Sequence, residues 1–150
     1  KKLNQELGLT IVLITHEMEV VKEICDRMAI MQNGRVVEHG SVYDIFANPT
    51  NPLTQEFIGS VVSFDIPSEI MHTFNGTIVK VLFKGDTAGQ GIISDMLQQF
   101  EVRGNFLHGT IEYIQERPLG IFIMELIGDG QDINRAITYM ESRGVTVEVQ

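Results

Sequence analysis

The residues able to do chemistry are few and scattered. Cys25 is the sole cysteine, which excludes an intramolecular disulfide and a cysteine-based zinc site. Lying among Val21, Ile24 and Met28, it reads as a buried, inert thiol. Histidines stand at 16, 39, 72 and 108 and share no metal-ligand spacing. His16 closes an apolar run just before a helix, where it caps that helix or faces water. His108 and Glu112 fall on one face of one strand, but a catalytic or metal constellation needs a third group there. Asp129 and Asp132, with Gly128 and Gly130, suit a loop and a helix cap, because an EF-hand requires more acids at fixed offsets. Gly89-Gln-Gly91-Ile-Ile-Ser94 imitates a dinucleotide-binding glycine loop. Its third glycine is Ser94, and the next strand leads into a hairpin, so it reads as a flexible helix start.

These residues must be positioned by two different kinds of segment. Residues 9–15 form a continuous β-rich apolar run, suited to a strand buried on both faces of a parallel sheet. Residues 17–28 read as a helix with Val21, Ile24, Cys25 and Met28 on one face, and Glu17 and Glu19 in its first turn. Residues 29–38 place two apolar stretches around Asn33-Gly34, the preferred type I′ hairpin pair. Helical pieces follow near residues 41–47 and 52–58, punctuated by Asn48-Pro49 and Asn51-Pro52. A parallel strand needs neighbours and helices on both faces. The first sixty residues supply none, so they read as the end of a truncated α/β domain. Lys1 in place of an initiator Met carries the same expectation.

Residues 61–75 read as a linker, with a short helix expected at residues 68–72 capped by Ser68. Beyond it the periodicities are clean. Residues 77–83 are a strand broken by Gly85-Asp86-Thr87, and residues 88–100 a helix with Ile92, Ile93, Met96, Leu97 and Phe100 on one face. Residues 104–115 and 121–127 are strands joined by a turn at residues 116–120. Residues 132–143 are a helix with Ile133, Ala136, Ile137 and Met140 at ideal spacing, Gly144 fits its C′ position, and Val145, Val147 and Val149 alternate as a last strand. The order is β-α-β-β-α-β, with two helices on one face of a four-stranded antiparallel sheet. Residues 77–83 and 121–127 offer apolar side chains to both faces. The helix-free face or an edge strand is therefore expected to meet a partner, a second copy being the economical choice.

Composition limits the function classes. Eleven Lys+Arg against twenty Asp+Glu leave a net charge of −9, so no basic footprint exists for nucleic acid. The hydrophobic share of 43% and charged share of 21% are those of ordinary globular chains, not disordered ones. No apolar run approaches the roughly 18–20 residues of a membrane helix, and no signal-peptide pattern opens the chain.

Two resemblances follow from these residues. Residues 10–18 (Thr-Ile-Val-Leu-Ile-Thr-His-Glu-Met), a helix, then residues 26–40 (Asp-Arg-Met-Ala-Ile-Met-Gln-Asn-Gly-Arg-Val-Val-Glu-His-Gly) resemble the end of an ABC-transporter ATPase domain. The stretch Tyr-Asp-Ile-Phe-Ala-Asn-Pro at residues 43–49 also recurs in that family. The resemblance implies an incomplete ATPase remnant over residues 1–60. It gives His16 the role of the switch histidine, which contacts the γ-phosphate and helps position the attacking water in the parent protein. ATP and Mg²⁺ belong to that parent. This chain has no Gly-x-x-x-x-Gly-Lys-Ser/Thr loop, no acidic strand end for Mg²⁺ and no Ser-Gly-Gly-Gln signature. A lone histidine cannot stabilise a phosphoryl-transfer transition state, so neither cofactor binding nor ATP hydrolysis is expected of the chain alone.

With its linker and β-α-β-β-α-β tail, the whole chain resembles the ATP-binding subunit of methionine importers, whose tail is called the NIL domain. Asn105-Phe106-Leu107, followed by His-Gly-Thr-Ile-Glu-Tyr-Ile-Gln, carries most of the match, and Pro118-Leu-Gly-Ile-Phe also fits. The resemblance implies an α+β, ferredoxin-like (ACT-like) regulatory domain over residues 76–150. Paired copies would bind methionine and inhibit transport when cytoplasmic methionine is high. It implies Asn105 as a direct ligand contact, its amide offering both donor and acceptor. Leu107 and Ile111, on one strand face, would line an apolar slot for a thioether, and Phe106, also a ligand-binding position, replaces the family's Ile. A second reading of Asn105 is a strand-start residue bonded to its own turn. The implied partners are a second copy through the C-terminal domain, a membrane permease and a substrate-binding lipoprotein, at the cytoplasmic face of the membrane. Two rival classes are a dimerisation module without a small ligand and an enzyme of the same fold. The enzyme is disfavoured by the lack of an acid/base or nucleophile constellation.

Overall fold

Glu38 shows how short-range chemistry builds the first part of the chain. The computed structural model describes residues 2–61 and 73–150 and falls into two compact units, Lys1–Ser63 and Phe64–Gln150. The first holds α1 (Lys2–Leu7), α2 (Met18–Ile24), β1 (Arg27–Gln32), β2 (Arg35–Ser41), α3 (Val42–Ala47) and α4 (Pro52–Val61). β1 and β2 are an antiparallel hairpin. Asn33 and Gly34 turn it with φ of 52° and 76°, the left-handed pair that a type I′ turn requires. Ser41 caps α3, its Oγ accepting from the Asp44 N–H at 3.0 Å. The Glu38 carboxylate on β2 accepts from the Thr50 N–H (3.0 Å), the Thr50 hydroxyl (2.8 Å) and the Asn51 N–H (3.0 Å). Asn51 Oδ1 in turn accepts from the Leu53 N–H at 2.9 Å, so α4 is started by a chain of caps hung from the hairpin. Burial pushes the Glu38 carboxyl up, but the Thr54 hydroxyl and the donors of residues 50 and 51 outweigh it and hold it at about 2. Thr54 Oγ1 is itself fully buried with no partner at hydrogen-bond geometry, so its influence on Glu38 is electrostatic rather than a formed bond.

Three expectations for this unit are corrected. Residues 9–15 form no strand, and Val12 and Ile14 are 84% and 95% exposed. An apolar β-rich run becomes a strand only against a neighbouring ladder, and none faces it among the described residues. The helix expected over residues 17–28 stops at Ile24, because Cys25 is extended and Arg27 enters the β1 ladder. Cys25 is half-buried rather than enclosed.

The second unit holds β3 (Thr77–Lys84), a 3₁₀ turn (Gly85–Gly89), α5 (Ile92–Gln99), β4 (Val102–Ile114), β5 (Arg117–Gly128), α6 (Gly130–Ser142) and β6 (Thr146–Val149). The four strands lie in the order β4-β5-β3-β6, and each neighbouring pair is antiparallel. The chain is thus a mixed α/β protein with antiparallel sheets. Val79, Val81, Phe83, Met124 and Leu126 point from the sheet onto Ile92, Met96, Ile133, Ala136 and Met140 of the two helices. Alternation along the strands puts Ile78, Leu119, Ile121 and Ile123 on the other face. They too are buried, while Asn105, His108 and Glu148 on that face are exposed and Glu112 is half-buried. α6 is bracketed by an acid and a glycine, but it begins at Gly130, two residues before the expected Asp132. Asp129 Oδ1 accepts from the Gln131 N–H at 2.9 Å. At the other end the Gly144 N–H reaches Glu141 O (3.0 Å) and the Val145 N–H reaches Met140 O (3.2 Å), a Schellman stop with Gly144 at φ 83°.

Two larger boundary shifts have a local cause. α5 begins at Ile92 rather than residue 88, because the Thr87 hydroxyl bonds the Lys84 N–H and C=O (both 3.0 Å) and closes the 3₁₀ turn first. The β4–β5 turn is Gln115-Glu116, with φ of 52° and 66°, not residues 116–120. A ladder twelve pairs long, to Ile114↔Arg117, sets the twist that a two-residue left-handed turn must match. Pro118 then lies past the last β3 pair, Lys84↔Leu119, where β5 has a ladder on one side only. The helix expected at residues 68–72 lies outside the described residues. Among the described residues no helix is long and apolar enough to cross a membrane.

Candidate functional site

β4 is an edge strand, and it carries all four ligand residues expected from the sequence. Asn105 is exposed and stands opposite Glu125 of β5. Its Nδ2 donates to Glu125 Oε2 at 3.5 Å, so its partner lies across the sheet rather than in its own turn. Glu125 is 5% exposed. Its other oxygen, Oε1, accepts from the Asn75 N–H at 3.0 Å and the Gly76 N–H at 2.8 Å. A Cβ on Gly76 would sit 2.5 Å from the Leu126 carbonyl oxygen and 2.7 Å from Glu125 Cγ. Only glycine lets the backbone come this close.

The other side of the strand is apolar. The Phe106 ring, 54% exposed, meets Phe122 edge-on at 5.9 Å, and Phe122 meets the core residue Phe83 at 5.7 Å. The register passes from Phe106↔Met124 to His108↔Ile123, leaving Leu107 as the extra residue of a bulge. Phe106 and Ile111, five residues apart, therefore look to one side through their partners Met124 and Gly120, whereas Asn105 looks to the other. Leu107 is half-buried at the irregularity. Ile111 and Tyr113 are 48% and 68% exposed, so three of the sheet's four exposed large apolar side chains lie on β4, the fourth being Val149 of β6. Gly109 makes room for this cluster, because a Cβ there would lie 2.3 Å from a Phe122 ring carbon.

The remaining candidates stay apart from this strand side. His108 and Glu112 do share a face, through Ile123 and Leu119. Among the described residues no three His, Cys, Asp or Glu gather into a metal-holding group. His16 is exposed on the bend before α2, where the Thr15 hydroxyl, not His16, accepts the Glu17 N–H at 3.0 Å. A shallow groove of about 410 Å³ runs along α6 between Phe100, Arg135 and Tyr139. Arg135 covers the Phe100 ring at 5.4 Å and pairs with Asp132 at 3.0 Å, and none of the expected ligand residues lines the groove. Glu125 and Phe122 were missed by the sequence reading. The signals were a lone acid inside an apolar strand and a glycine within the strand opposite.

Comparison with known proteins completes the picture. Residues 77–149 match the family model of the NIL domain. The chain is 68% identical over 149 residues to the methionine import ATP-binding protein MetN 2 of Shouchella clausii, covering 99% of this chain and 44% of that protein. It is 55% identical, with the same coverage, to MetN 1 of Oceanobacillus iheyensis. It is 42% identical over 151 residues to MetN 2 of Pectobacterium atrosepticum, with 45% of that protein covered. The chain thus spans less than half the length of the curated relatives it matches. Among solved structures, the C-terminal domain of an ABC transporter ATP-binding protein from Enterococcus faecalis is similar, with 28% identity and a TM-score of 0.47, over 54% of this chain and 91% of that one.

Proposed function

This chain belongs to the methionine-import ATP-binding proteins, as their C-terminal part, with a NIL domain over residues 77–149, and on that premise we propose that this domain is a methionine sensor of ferredoxin-like fold. It binds methionine on β4 and restrains the importer when cytoplasmic methionine is high. The identity of 68% along 99% of the chain to a protein named for methionine import carries the reading. The element order and the strand order β4-β5-β3-β6 support the fold assignment. Asn105, with the exposed rings and side chains of Phe106 and Ile111 across the strand, supports the placing of the ligand. A site formed along an exposed strand edge is open on one side, which supports closure by a second copy of the domain.

The control is a population shift. Methionine that binds one arrangement of two paired domains better than the other favours that arrangement, and the arrangement in turn holds the attached ATPase domains apart. The first unit is read as the end of that ATPase domain, its exposed apolar residues 9–15 belonging against a sheet of the longer protein. His16 is the proposed switch histidine there. One exposed imidazole and no metal-holding group among the described residues do not fit an ATP–Mg²⁺ site by themselves, so no step is routed through the nucleotide in this chain. The permease, the substrate-binding lipoprotein and the cytoplasmic face of the membrane are parts of the same proposal.

Calorimetric titration of L-methionine into the chain tests the reading, with Asn105→Ala alongside and sedimentation measured with and without ligand. Saturable heat that Asn105→Ala weakens at least tenfold supports the sensor. No heat, with a dimer unchanged by methionine, replaces it with a dimerisation module that takes no small ligand.

A further inference from the structure

Glu125 is the one buried carboxylate among the described residues of the sheet, and it is held from two directions. The Asn75 and Gly76 N–H groups donate to Oε1, and Gly76 lies so close to Glu125 Cγ that no side chain could stand at residue 76. Its second oxygen faces Asn105. An ionised carboxylate only accepts hydrogen bonds. It therefore dictates which way the Asn105 amide sits: Nδ2 inward, on Glu125, and Oδ1 outward, on the exposed edge of β4. An amide left to itself offers a ligand either a donor or an acceptor. This one offers an acceptor, with an anion behind it.

We infer that Glu125 is a positioning residue that orients the Asn105 amide and makes this edge select a primary ammonium group. The inference rests on the ligand site proposed above and deepens it. The ammonium end of an amino acid lies on Asn105 Oδ1, and its carboxylate lies elsewhere. A carboxylate placed at Asn105 would meet an acceptor atom and the Glu125 charge, both repulsive.

The test uses the full chain and three probes: L-methionine, its carboxamide, which keeps the ammonium group, and N-acetyl-L-methionine, which lacks it. The native chain is expected to bind methionine and the carboxamide and to lose N-acetylmethionine at least tenfold. In Glu125→Gln the new amide keeps its oxygen on Asn75 and Gly76 and turns its NH₂ toward Asn105. The Asn105 amide then flips and presents Nδ2, so the preference for carboxamide over N-acetyl ligand falls at least tenfold. A merely structural role would weaken all three probes alike, which overturns the inference. A readout without ligand is the Asn105 side-chain NH₂ resonance pair, assigned by its loss in Asn105→Ala. It must shift in Glu125→Gln; an unmoved pair overturns the inference even where methionine binds. A shifted pair with no methionine heat in the native chain upholds the orientation and overturns the methionine reading alone.

Discussion

Gly109→Ala provides a direct test of how the apolar side of the edge strand is built. The added methyl would lie 2.3 Å and 2.8 Å from two carbons of the Phe122 ring, where ordinary contact is about 3.5–4 Å. The ring must move by about 1 Å, yet it is wedged between Phe83 at 5.7 Å and Phe106 at 5.9 Å. Overfilling a packed site costs about 1–3 kcal/mol, and disturbing an aromatic pair about 0.5–1.5 kcal/mol. Replacing glycine in a strand returns about 0.5–1 kcal/mol of backbone entropy. The expected net loss is about 1–2 kcal/mol. In a Phe122→Ala background the clash is gone and only the entropic gain remains, so the same substitution is expected to stabilise by about 0.5 kcal/mol. The coupling in the double-mutant cycle is then about 2 kcal/mol. The two units need not unfold together, so urea unfolding should be followed through the β4 and β5 amide resonances rather than a global signal. Additive single-mutant effects, or a Gly109→Ala chain as stable as the parent, would refute the account of Phe122 as the filler of the Gly109 gap.

Two further outcomes concern single residues. Glu38 is held down at about 2 against an ordinary 4.5, so its stabilisation is fully present above about pH 4.5 and is lost as pH falls toward 2. The ceiling for such a shift is about 3 kcal/mol, and because the side chain is half-buried and partly screened, about 1–2 kcal/mol is expected. Urea midpoints for the first unit at pH 6 and pH 3 should converge in Glu38→Gln, and an unchanged pH dependence in that variant refutes the capping role. Gly144→Ala should cost about 1–2 kcal/mol through its φ of 83°. The nearest atom to a Cβ there is 3.6 Å away, so strain rather than clash is responsible, and Gly144→Asn should lose less. Equal losses for Ala and Asn in urea unfolding would point to packing instead.

What could be read from the sequence was what is decided locally. Asp129 and Gly144 bracket α6 because a cap and a left-handed stop act within one turn, and Asn33-Gly34 turned its hairpin for the same reason. Residues 9–15 were misread because a strand is a property of its neighbours, and an apolar run cannot say whether they are present. The turn at Gln115-Glu116 was missed because neither residue favours positive φ; the long β4–β5 ladder imposes it. On the site, Asn105, Phe106, Leu107 and Ile111 were found through resemblance, but not their arrangement. One extra residue at Leu107 sets Phe106 and Ile111 on the same side, and no periodicity announces a bulge. Glu125 sat inside an apolar strand and had no visible partner until residues 49 and 50 positions away in the chain were brought against it.

The grip of Glu125 on Asn75 and Gly76 also decides where the second unit can be cut. The family match starts at Thr77, and a fragment trimmed to that point would strip both backbone donors from a carboxylate that is only 5% exposed in the whole chain. Such a fragment carries an uncompensated buried charge, whereas one starting at Phe74 keeps the pair of hydrogen bonds. The physical border of this domain lies two residues upstream of its sequence border.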